Sequence, residues 1–157
     1  MPVNRVRRTL LRGVSTAGAL TAAFATGLLA PRRAWAGAWN QAGFGTKAVA
    51  DALRSIGASE SVESPDILVK APDIAENGAI VPIEVISRIP NTRFIAIVAD
   101  KNPFPLIAIF EFRDGAEGFV STRVKLGEST FVRAIVKADD RVYSARREVK
   151  VTIGGCG

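Results

Sequence analysis

From Ser64 onward the chain carries short apolar runs, several alternating apolar and polar, broken by glycine, proline, asparagine and aspartate. Successive side chains of an extended strand point to opposite faces, so this pattern predicts strands packed against a core. Ile67-Leu68-Val69 lies between Pro65 and Pro72, and Asn77-Gly78 marks a turn before the run 80–86. Pro82 within that run predicts an edge position or a bulge, because proline has no N–H to donate. Runs 94–99 and 106–112 are joined by the stiff turn Lys101-Asn102-Pro103-Phe104-Pro105. Val120, Thr122, Val124 and Leu126 then alternate with Ser121, Arg123 and Lys125. A hairpin follows, 131–138 and 142–153 about Asp139-Asp140, with Val149, Val151 and Ile153 on one face.

Ahead of the strands the period changes. Val49, Leu53 and Ile56 fall at i, i+4 and i+7, which predicts one short helix over 46–56. Thr46 is the expected N-cap, Gly57 the C′ residue, and Lys47–Asp51 a surface pair. Trp39 and Phe44 are expected to help dock this helix. About seven strands with regular turns predict an all-β, immunoglobulin-like β-sandwich, with the short N-terminal helix appended, over residues 37–153.

Residues 1–36 read as a removed export signal. Arg5, Arg7, Arg8 and Arg12 precede a moderately apolar run, and Ala34-Trp35-Ala36 supplies an A-x-A cleavage site. Arg7-Arg8-Thr9-Leu10-Leu11 resembles a twin-arginine signal, which predicts a periplasmic protein. Six of the 21 basic residues lie in this segment, which holds no acid, so 15 basic and 15 acidic residues remain after it. A neutral mature chain lacks the basic footprint of a nucleic-acid binder.

About 120 mature residues suit one domain. The chain has no histidine, which excludes Ser-His-Asp and Cys-His catalysis and histidine-based metal sites. Neither Glu76-Asn77-Gly78 nor Gly154-Gly155-Cys156-Gly157 has the surroundings of a calcium or phosphate loop, so no metal or cofactor is expected. Asp139-Asp140 reads as a turn. Arg146-Arg147 and Arg123/Lys125 read as solvated faces.

The only cysteine, Cys156, stands one residue from the end, behind Gly154-Gly155. Glycine visits both signs of φ at little cost, so residues 154–157 are expected to form a flexible arm. Extended chain covers about 3.3–3.6 Å per residue, which gives the sulfur a reach on the order of 10 Å beyond Ile153. A lone cysteine in an exported protein points to an intermolecular bond or a reactive thiol. No helix N-terminus or histidine lies nearby in sequence to activate it, which argues against a thiol enzyme. Two readings remain: a handle to which other enzymes attach a group, and a structural or assembly module whose cysteine cross-links two chains.

The run 149–157, together with 120–126, Glu76-Asn77-Gly78 and Asn102-Pro103-Phe104-Pro105-Leu106, resembles the SoxY family, carrier subunits of the periplasmic thiosulfate-oxidising (Sox) system. The resemblance implies a non-enzymatic carrier with sulfur compounds attached at Cys156, and Gly154, Gly155 and Gly157 as its arm. It also implies a heterodimer with a SoxZ-type subunit that lacks its own signal. Further expected partners are a c-type cytochrome enzyme that couples thiosulfate to the cysteine, a sulfate-releasing hydrolase, and enzymes oxidising the remaining sulfane sulfur. The family's usual ending carries one more glycine after the cysteine. The shorter tail here is expected to bring the terminal carboxylate nearer the sulfur.

Overall fold

The computed structural model of the chain describes residues 40–113 and 115–152, which belong to one compact unit beginning at Asn40. Two short helices lead, α1 (Gln41–Gly45) and α2 (Val49–Ser55). The strands among the described residues are β1 (Val62–Glu63), β2 (Ile67–Lys70), β3 (Ile74–Ala75), β4 (Val81–Ser87), β5 (Thr92–Ala99), β6 (Leu106–Glu111), β7 (Phe119–Val124), β8 (Thr130–Ala138) and β9 (Arg141–Val151). The larger sheet runs β1-β9-β8-β5-β6, with β3 also on β9, and the smaller runs β2-β4-β7. This is the expected immunoglobulin-like sandwich, with nine strands described against about seven expected.

The two extra strands are two-residue pieces, β1 and β3, each parallel to β9. Between them the chain crosses to the smaller sheet as β2, so β9 gains neighbours at both ends of its outer edge. No local periodicity exists over two residues, which is why the sequence pattern missed them.

Apolar packing forms two layers. Ile95, Ile97, Val132, Val136 and Val149 meet Val81, Ile83 and Val85 between the sheets, all fully buried. Ala96, Val98 and Ile135 point to the opposite face and meet Ala52, Ala58, Phe44, Leu53 and Ile56 of the helical segment. Strand β5 is thus buried on both faces, which explains its unbroken apolar run Phe94–Ala99. Each fully buried isoleucine contributes about 1.5–3 kcal/mol against an exposed one.

The helical segment departs from expectation in detail. It is two helices, not one over 46–56, and Thr46 follows α1 as its C-cap. Thr46 Oγ1 accepts the Ala48 N–H at 3.2 Å, so α2 starts later, with Ala48 as an N-cap lacking a side-chain bond. Helix α1 holds because Asn40 Oδ1 accepts the Gly43 N–H at 3.0 Å while its Nδ2 donates to the Ser55 carbonyl at 3.1 Å. Asp51 pairs with Arg54, not with Lys47. Gly57 is the C′ residue as expected, with φ of 69° and its N–H donating to Arg54. Phe44 packs into the helical layer as expected, while Trp39 lies outside the described residues.

Pro82 meets its expectation only locally. It lies in β4, the central strand of the smaller sheet, with no break in the β4–β7 register. The reason it fits is local: β2 pairs with β4 only along 84–87, so the side of Pro82 that lacks a donor meets no strand among the described residues.

Candidate functional site at the root of the C-terminal segment

Cys156, Gly154, Gly155 and Gly157 lie outside the described residues, as do Ile153, Arg7, Arg8 and the whole segment 1–36. The structure describes the root from which the last residues depart. Its inner face is fixed by burial: Val149 is fully covered between the sheets and Val151 packs against the same cluster.

Both edges of the strand are held as well. On the β8 side, the Val151 N–H donates to Ser129 Oγ at 2.9 Å. On the β3 side, the Lys150 N–H donates to Asp73 at 2.9 Å and the Thr152 N–H to Ala75 at 3.1 Å. Thr152 Oγ1 adds a bond to the Glu76 carbonyl at 3.1 Å. The root is therefore ordered through Thr152 by partners from two separate stretches, residues 73–76 around β3 and Ser129 ahead of β8. Neither Ser129 nor Thr152 carried a sequence signal, because each acts through a partner more than twenty residues away.

Two loops surround this end. Asn102 donates to the Lys125 carbonyl at 2.8 Å and accepts the Gly127 N–H at 3.1 Å, tying the Pro103-Phe104-Pro105 turn to the loop after β7. The Leu126 N–H donates to the Gly78 carbonyl at 2.7 Å, and its side chain is fully buried. Phe104 and Ile80 remain half or more exposed on this tied frame. The Asn77 side chain accepts the Ala79 N–H at 2.8 Å, the local turn expected of Glu76-Asn77-Gly78.

On the outer face of β8 and β9 two arginines are held by partners. Arg133 and Arg146 stand directly opposite each other, an arrangement of like charges that costs stability unless each is neutralised. Arg133 makes a two-pronged bond to Asp100 at 2.7 Å for each prong. That hydrogen bond holds the guanidinium above its usual value, against burial, with the charges of Asp100 and Glu63 adding. Arg146 lies 5.3 Å from the Phe131 ring centroid and 3.9 Å from Glu63. Arg147 points to the other face and bonds Asp73 at 2.8 Å. The adjacent arginines therefore form no common patch, and Arg123 lies on the other sheet. Asp139-Asp140 is a turn, with Asp139 at φ of 49°.

Comparisons with known proteins fall into line with this geometry. The family model described as "Sulfur oxidation protein SoxY" matches residues 53–156, a span that runs from α2 through Cys156. Among solved structures, the sulfur carrier protein SoxY from Chlorobium limicola f thiosulfatophilum aligns with a TM-score of 0.60 at 38% identity. That alignment covers 66% of this chain and 94% of that one. A search of curated proteins finds no match.

Proposed function

This chain belongs to the SoxY family of sulfur oxidation proteins, and from that premise we propose that Cys156 is the residue on which it carries sulfur substrates covalently. A sulfur-carrier role follows from the family and from the carrier structure it resembles. The observation that carries the finer reading is the family match running to Cys156, on a chain whose last described strand is held firmly through Thr152. A thiol placed four residues beyond a fixed root can travel about 13–14 Å along extended chain from Thr152, far enough to enter a recessed site on another protein.

The chemistry suits a handle. Oxidative coupling joins the Cys156 sulfur to the outer sulfur of thiosulfate, losing the thiol proton and passing two electrons to a c-type cytochrome partner. Hydrolysis then adds water across the bond to the sulfonate group, releasing sulfate and leaving a persulfide on the protein. Both steps draw oxidant or catalyst from partner enzymes, so the carrier needs only access and mobility. Export through the twin-arginine route by way of Arg7 and Arg8, action in the periplasm, and pairing with a SoxZ-type subunit complete this reading, with Gly154, Gly155 and Gly157 as the hinge of the arm.

Intact-mass analysis tests it. After exposure to thiosulfate and the cytochrome partner, the chain gains one thiosulfonate group, which maps to the C-terminal peptide and is absent from Cys156→Ser. An unchanged mass, or a serine variant equally active in thiosulfate oxidation, refutes the reading. A stable disulfide homodimer as the working form would favour the cross-linking module instead.

A further inference from the structure

Strand β7 ends the smaller sheet, with β4 on one side and no strand on the other among the described residues. In an antiparallel ladder each strand turns alternate N–H and C=O groups toward each side. The Ser87 N–H donates to the Gly118 carbonyl, and the register continues Val85 with Val120 and Ile83 with Thr122. Even-numbered residues of β7 therefore bond β4, and the backbone groups of Ser121 and Arg123 face outward without a strand to receive them.

The neighbouring layer makes this edge a seat. Three strands cannot cover five, and β2 lies over β9 and β8, which shifts the shortfall to β6 at the other side. Burial agrees. On β5, Ile95 and Ile97 are fully covered, while their β6 partners Phe110 and Ala108 are only partly so. Beyond β7 there is accordingly an apolar ledge lying beneath an unpaired strand edge. Arg123 stands exposed on the solvent side of that edge and makes no ion pair among the described residues.

We propose that β7 receives an extended segment of a partner polypeptide as a fourth strand over β6, apolar at alternate positions and acidic between them. Its backbone would take up the outward groups of Ser121 and Arg123. Its apolar side chains would point down onto Phe110 and Ala108, and an acidic residue would face Arg123 across the ladder. A second copy of this chain fits poorly. Pairing β7 with β7 about a two-fold axis would drive the second larger sheet into β6, which already occupies the space under the added strand. The inference does not depend on the chemistry at Cys156.

The test uses the full chain, isotopically labelled, with two capped hexapeptides as probes: Glu-Val-Glu-Val-Glu-Val and its lysine counterpart. The glutamate peptide is expected to shift the Ser121 and Arg123 amide resonances and those of neighbouring β6. Arg123→Glu should weaken that binding about tenfold and turn the preference toward the lysine peptide. Ser121→Pro removes only an outward-facing donor and should weaken it similarly, with unfolding curves confirming that the variant folds. Shifts that map elsewhere, no binding at millimolar peptide, or an Arg123→Glu variant with unchanged preference overturns the proposal. So does concentration-dependent protection of the Ser121 amide without peptide, which would mark a second copy as the occupant. Thiosulfate loading of Cys156 is expected to be unchanged in both variants, so this proposal and the carrier reading fail separately.

Discussion

Replacing Ser129 with alanine probes how firmly the end of β9 is held at Val151 and Thr152. Ser129 Oγ is the acceptor for the Val151 N–H at 2.9 Å, in a half-buried position. Alanine keeps the backbone and leaves that donor without a protein partner, a loss of about 1 kcal/mol, since part of it is recovered by water. That energy eases local opening of the root about fivefold. If opening is coupled to global unfolding, the midpoint falls by roughly 3–5 °C for a domain of this size. Hydrogen exchange at Val151 is the direct assay, expected to quicken about fivefold while Val149, fully buried, keeps its protection. If Gly154 and Gly155 act as the proposed arm, alkylation of Cys156 by iodoacetamide should stay within twofold. Unchanged exchange at Val151 would show that Ser129 is not the clamp. A several-fold change in alkylation would show that thiol access is governed by the root.

Four further outcomes follow from the same geometry. Asp100→Ala and Arg133→Ala should each cost about 1–2 kcal/mol by chemical denaturation, and the double variant clearly less than their sum, since the two-pronged pair is only partly exposed. Because the folded pKa of Arg133 is raised, its contribution is complete below its unfolded value and lost only in strong alkali, so the pair should add no slope to stability from the arginine side between about pH 5 and 10. Leu126→Ala should cost about 2–5 kcal/mol in urea unfolding, because the side chain is fully buried at the arm end. Gly57→Ala should destabilise by about 1 kcal/mol through backbone strain alone, because a Cβ there meets nothing within 4 Å and φ is 69°.

Strands β4, β7 and β9 were legible because their alternation is recorded in neighbouring residues, and β5 because burial on both faces leaves an unbroken apolar run. Val81, Ile83 and Val85 face the core at every second position, and the polar or outward residues between them complete the pattern. What escaped the sequence rests on long-range partners. Strands β1 and β3 exist because β9 is long enough to bind both, and α1 exists because Asn40 reaches Ser55. Thr46 looked like an N-cap since its residue type allows it, yet its hydroxyl accepts the Ala48 N–H and the helix begins only at Val49, with Ala48 as its cap. Pro82 sits in a central strand at a position β2 does not reach, so the edge condition is met at that one residue. The candidate site divides the same way: Cys156 stood out by its rarity and its glycine setting, whereas Ser129, Thr152 and the Asn102 tie became visible only once the sheets were assembled.

The eleven residues of β9 lie between β8 along almost their full length and β1 and β3 on the other edge. On the carrier reading proposed above, an enzyme that grips cargo on Cys156 and withdraws would pull on this strand along its own axis. Loaded that way, the cross-strand bonds are strained in shear and resist together, where a strand peeled from an edge would yield them one at a time. On that reading, repeated docking and release would tug on a strand held along both edges, and the body that bears it would keep its pairing.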